Sequence, residues 1–147
     1  MNKKILAIVF LCILIIGIFA VFHFITGNKN APSVVGEGAM ELEGVDFTAD
    51  YEKEYKNLTY TLKNNTDFDI EYGEASYIEI QKNDSWYRVN ADDVWIAISY
   101  TLSSGDEKTT IVSLQDKLAS GNYRLVKFVT VPGYSNQYVV IAYFDVN

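Results

Sequence analysis

Leu58–Thr59–Tyr60–Thr61–Leu62–Lys63–Asn64–Asn65 alternates apolar and polar side chains and then ends on two asparagines. Successive side chains of an extended chain point to opposite faces, so a period of two marks a strand with one buried face. Asn64–Asn65–Thr66–Asp67 is a dense turn signal, because Asn and Asp bond their own backbone and tolerate left-handed conformations. Upstream, Val45, Phe47 and Ala49 keep the same period.

Downstream the pattern recurs. Ile70–Glu71–Tyr72 runs into Gly73, and Tyr77, Ile78 and Ile80 form a stronger strand. Lys82–Asn83–Asp84–Ser85 reads as a hairpin turn into Trp86–Tyr87–Arg88–Val89, and Asn90 to Asp93 as another turn. Trp95 to Leu102 is predicted as a strand with Ile96, Ile98, Tyr100 and Leu102 on one face, closed by Ser103–Ser104–Gly105–Asp106. Thr109 to Leu114 and Tyr123 to Val131 are further strands, the second ending at Pro132–Gly133. Tyr138 to Val146 is apolar on both faces, which predicts a strand flanked on both sides. Seven to nine short strands with regular turns and no long helical stretch predict an all-β antiparallel sandwich over residues 44–147.

Residues 27–43 carry Gly27, Pro32, Gly36 and Gly38 and show neither period, so they read as a flexible linker. Residues 1–26 read as an N-terminal membrane anchor. Ile5 to Ile25 is 21 residues without charge or proline, sixteen of them Ile, Leu, Val or Phe. A helix of that length covers a hydrocarbon core of about 30 Å. Lys3 and Lys4 before it place the N-terminus in the cytoplasm and the rest outside. The alternative is a signal peptide, with secretion after cleavage. The apolar run exceeds the usual signal length, and Val21–Phe22–His23–Phe24–Ile25 is bulky where a cleavage site wants small residues. Lipidation of Cys12 is a third reading, opposed by its place inside the apolar run.

The chain has 12 Lys and Arg against 19 Asp and Glu. Three of the bases, Lys3, Lys4 and Lys29, lie in or beside the anchor, so the exported part is near −10. Such a surface repels phosphate backbones and argues against a nucleic-acid partner. The single His is His23 and the single Cys is Cys12, so the exported domain holds neither. That removes Ser-His-Asp and Cys-His catalysis and the His- and Cys-based zinc sites, and the chain is expected to be a non-enzyme without a cofactor. Carboxylates remain: Asp92–Asp93, Asp67 with Asp69, and Asp106–Glu107. A small carboxylate-dependent hydrolase would need two of them facing each other about 5–9.5 Å apart. Asn65, Asp67 and Asp69 alternate as oxygen ligands might in a calcium site, although the loop lacks the glycine and distant Glu of an EF-hand. A solvated turn is the plainer reading of the three. Asn57, Asn64 and Asn83 begin glycosylation-type triplets, although Asn is common in turns in any case.

Trp86, beside a hairpin, and Trp95, after an acidic turn, are candidates for an aromatic binding surface; packing is the competing role. Tyr123 opens a strand after Leu118–Ala119–Ser120–Gly121–Asn122. A Tyr there either folds its hydroxyl back on the preceding loop, as a tyrosine corner, or is an ordinary strand residue.

Three blocks resemble the bacterial immunoglobulin-like domains of Gram-positive surface proteins and lipoproteins. Leu58 to Asn65 is similar to their second strand. Tyr72–Gly73–Glu74 with Ile78–Glu79–Ile80–Gln81–Lys82 and Trp86–Tyr87 is similar to their central block. Leu118, Gly121 and Tyr123–Arg124–Leu125–Val126–Lys127 are similar to their "LkpGxYRivK" block, with Ala119–Ser120 departing from it. The resemblance implies an immunoglobulin-like sandwich and is nearly silent on function. The expectation is a membrane-tethered extracytoplasmic module at the bacterial cell envelope. It binds or scaffolds a protein or envelope component, with cation sensing as the alternative.

Overall fold

The computed structural model describes residues 31–89 and 96–147. The predicted membrane segment, Asp92, Asp93 and Trp95 lie outside the described residues. Ala31–Asn147 forms one compact unit. Its strands are β1 (Ala31–Pro32), β2 (Val45–Glu52), β3 (Asn57–Asn64), β4 (Ile70–Gly73), β5 (Tyr77–Lys82), β6 (Ser85–Arg88), β7 (Ser99–Leu102), β8 (Glu107–Ser113), β9 (Gly121–Thr130) and β10 (Gln137–Val146).

They form two antiparallel sheets. The smaller has the order β2-β3-β8, and the larger runs β1-β6-β5-β9-β4-β7 with β10 on the other side of β9. The sequence-predicted sandwich is thus present, with nine strands between Val45 and Val146 among the described residues. Alternation decides which side chains enter the core. Leu58, Tyr60 and Leu62 of β3 face Leu125 and Val129 of β9 and Val140, Ala142 and Phe144 of β10 in one apolar cluster. Phe47 meets Tyr60 edge to face at 5.7 Å. Asn83 and Asp84 both adopt positive φ in the two-residue turn between β5 and β6. That conformation matches the twist of a tight hairpin and suits Asn and Asp.

Two differences from the sequence reading have physical causes. Among the described residues of the predicted strand over Trp95–Leu102, pairing is confined to Ser99–Leu102. Leu102 enters the core, whereas Ile96, Ile98 and Tyr100 are exposed. Periodicity reports which residues share a face, and among the described residues that face is covered only at Leu102.

The other difference concerns residues 31–43, which fall in the stretch read as a linker. Ala31 and Pro32 pair with Arg88 and Tyr87 of β6. At the far side of the sheet Glu41 bridges Val139 of β10, and the Val139 N–H donates to Met40 O at 2.8 Å. The segment therefore runs as a strap from the β6 side of the large sheet to its β10 edge. It passes the outer face carrying Glu79 and Arg124. Val139, which points away from the sandwich interior and bonds the strap through its N–H, is 2% exposed.

Candidate functional site

The site is a pocket of about 450 Å³ lined by Leu42, Phe68, Asp69, Val131, Pro132, Tyr134 and Tyr138. Three separate pieces of chain build it. Each piece is held by local chemistry that can be followed residue by residue.

The first wall is the loop after β3. Asn64 is fully buried, yet its side chain uses every hydrogen-bonding position it has. Its Nδ2 donates to Phe68 O at 2.8 Å and to Leu102 O at 3.0 Å, and its Oδ1 accepts from Thr66 N at 3.0 Å and Thr66 Oγ1 at 2.6 Å. A satisfied buried amide fixes its surroundings, because any displacement strands polar groups away from water. Ser104 Oγ adds a bond to Thr66 O at 2.6 Å. This network sets Phe68 and Asp69 at the pocket.

The second wall is the β9–β10 connection. Val131–Pro132–Gly133–Tyr134 closes with Tyr134 N donating to Val131 O at 3.0 Å, and Gly133 has φ of 84°. Proline at the second position and a left-handed glycine at the third define a type II turn. The turn projects Tyr134, which is 70% exposed. Leu42, at the end of the strap, supplies the third wall. Its neighbours Glu41 and Glu43 are exposed.

The pocket thus offers three aromatic rings, three aliphatic side chains and one carboxylate, with no basic side chain among its lining residues. Of the sequence candidates among the described residues, only Asp69 belongs to it. Asn65 donates its side chain to Asp46 Oδ2 at 2.8 Å instead, and Asp67 is exposed in the loop. Among the described residues no group of three or more His, Cys, Asp or Glu is gathered as a metal site. Tyr134 and Tyr138 were not singled out by the sequence; the Pro-Gly pair ahead of Tyr134 was the one local signal that a turn would present it.

Trp86 lies elsewhere, on the outer face of the large sheet. The Arg124 guanidinium sits over its ring at 4.4 Å from the centroid, and Tyr143 is 5.9 Å away. One face of the indole is therefore occupied within the domain. Arg124 is itself paired to Glu79, with Nη2 2.7 Å and Nε 2.8 Å from Oε2. Ser33 Oγ donates to Glu79 Oε2 at 3.0 Å, Val34 N donates to Oε1 at 2.7 Å, and Arg124 Nη2 donates to Ser33 Oγ at 3.0 Å. The strap completes the shell of a buried ion pair.

Tyr123 is 2% exposed, and its hydroxyl donates to Ala119 O, four residues upstream, at 2.9 Å. That is the geometry of a tyrosine corner. Burial raises the Tyr123 pKa, with a smaller raising effect from Tyr51 that opposes the lowering by the Ala119 bond. Tyr51 staples the same loop from the other sheet, its hydroxyl accepting from Leu118 N at 3.1 Å.

Lys127 points into the sandwich and is fully buried. Its Nζ donates to Glu74 O at 3.3 Å and Ala75 O at 3.2 Å and lies 5.5 and 5.3 Å from the ring centroids of Tyr60 and Tyr72. Burial lowers its pKa to about 8, partly offset by the Glu74 charge. Neither Lys127 nor the Glu79–Arg124 pair lines the pocket.

Two antiparallel sheets packed on one apolar core, with a tyrosine corner opening β9, define an immunoglobulin-like sandwich. The chain matches the bacterial Ig-like domain family over residues 42–145 and belongs to that family. No curated protein matches it.

Proposed function

We propose that the chain is a membrane-tethered extracytoplasmic module whose sandwich binds a protein or envelope component without catalysing a reaction. The observation that carries the reading is the aromatic pocket at one end of a rigid scaffold. Binding residues are commonly placed on loops that a sheet framework positions, as Phe68, Asp69 and Tyr134 are here. Residues 31–147 contain no His or Cys, so a reactive group there would have to be a carboxylate, a hydroxyl or a lysine. Lys127 is enclosed. The apolar run Ile5–Ile25 and the flanking Lys3 and Lys4 support the anchor and its orientation.

A photo-crosslinking side chain at position 134 of the full-length chain, expressed in its native cell, tests the binding role. A discrete adduct is expected there, and none from the same group at position 61 on the smaller sheet. Equal labelling at the two positions, or none at 134, would remove the pocket from the proposal. The orientation is checked separately by protease digestion of intact spheroplasts, which should cut the domain from outside.

A further inference from the structure

We infer that the pocket takes a cationic side chain, arginine or lysine, presented on an apolar stretch of a partner polypeptide. The inference rests on the binding role proposed above and names the chemistry of its ligand.

The lining sets the class. Phe68, Tyr134 and Tyr138 are its aromatic lining residues, and Asp69 is the one charged residue among the lining. Ring faces carry negative potential and attract a cation placed over them. A carboxylate beside them adds a directional acceptor that a planar guanidinium can meet with two N–H groups. An anionic ligand would face Asp69 without a single basic lining residue to offset it. The surroundings extend the same sign: Glu41 and Glu43 flank Leu42, and Asp67 lies two residues before Asp69, all exposed. The aliphatic part of the lining, Leu42, Val131 and Pro132, suits the methylene stem of the side chain and an apolar neighbour. Excess negative charge over the whole exported part favours encounter with a basic partner.

The same rings and carboxylate could in principle stack and hydrogen-bond a sugar, so the test must separate the two. Three probes are titrated into the full-length chain in a nonionic detergent: the blocked pentapeptide Gly-Leu-Arg-Leu-Gly, its citrulline counterpart and the N-acetylglucosamine disaccharide. Ring signals of Phe68, Tyr134 and Tyr138 are followed by NMR. The arginine peptide is expected to shift them and to bind at least about tenfold more tightly than the citrulline peptide, which keeps the shape and loses the charge. Asp69→Asn should remove most of that preference, weakening the arginine peptide more than the citrulline peptide. Tyr134→Ala, at an exposed loop position, should weaken both peptides. Equal affinity for arginine and citrulline, tighter binding of the disaccharide, or no ring shift with any peptide overturns the inference. A crosslink at position 134 alongside such a failure would leave the binding role standing with a ligand of another class. Failure of both removes the two together.

Discussion

The outer faces of the two sheets begin from the same alternation and end differently. On the smaller sheet, Thr48, Thr61 and Thr109 lie side by side across β2, β3 and β8. Thr61 and Thr109 share a hydroxyl hydrogen bond of 2.8 Å, and Ile111 is 65% exposed. Nothing in the described chain covers that face, and its residues are those a solvated sheet tolerates. On the larger sheet the strap covers the face, and beneath it Glu79 and Arg124 are buried as a pair. Covering a face changes what a residue costs. A charge in the open is screened by water, whereas a charge under the strap depends on its partner.

The sharpest way to break the contrast is Glu79→Ala. It leaves Arg124 buried beneath the strap without its carboxylate and removes the acceptor of Ser33 and Val34. Removing one partner of a buried pair costs about 3–5 kcal/mol. Urea unfolding should show a correspondingly lower midpoint, and a loss below about 1 kcal/mol would mean that water reaches the pair.

Asn64→Ala comes next. It removes the buried amide that bonds Phe68 O, Leu102 O and Thr66, for an expected cost of about 2–3 kcal/mol. The pocket should suffer beyond the stability loss, because Phe68 and Asp69 lose the amide that positions them. Ring signals of Phe68 and Tyr138 should change in the folded fraction of the variant.

Lys127 gives a smaller and pH-dependent effect. Its pKa is lowered on folding, so the folded state releases its proton near pH 8 while the unfolded state holds it to about 10.5. In that window the unfolded chain binds more protons, and stability rises with pH, by at most about 1.4 kcal/mol per unit from this group. Tyr60, Tyr72 and Tyr123 have pKa values raised chiefly by burial, so their contribution is lost as pH climbs above 10. Stability measured against Lys127→Met should therefore diverge upward between pH 8 and 10. A constant difference across that range would show that Lys127 keeps its proton in the folded chain up to pH 10, with no lowering of its pKa.

On the bare face Thr61→Ala and Ile111→Thr should each change stability by no more than about 0.5 kcal/mol. A larger loss at Ile111 in the full-length chain would reveal that something covers the smaller sheet after all.

Periodicity made most of the fold legible. The bounds of β3, β5, β9 and β10 follow from alternation and turn residues close to each end. Asp69 was legible as a loop carboxylate and Tyr123 as a strand-opening tyrosine. The pocket was not legible, because Leu42, Phe68, Tyr134 and Tyr138 meet only when the strap, the β3–β4 loop and the β9–β10 turn converge. The strap was misleading for a related reason. Its glycines and proline look like those of a linker, and its bonds to Glu79 and Val139 run to residues far along the chain.

The amino-acid order by itself determined that this domain is built of strands, where most of them turn, and that neither histidine nor cysteine chemistry operates in residues 31–147. Those properties depend on residue identity and on contacts between near neighbours. Tertiary structure alone decided which sheet face is covered, why Glu79 and Arg124 are buried together, and where Phe68, Tyr134 and Tyr138 line one pocket with Asp69. Each of these depends on segments tens of residues apart, whose meeting no local pattern encodes.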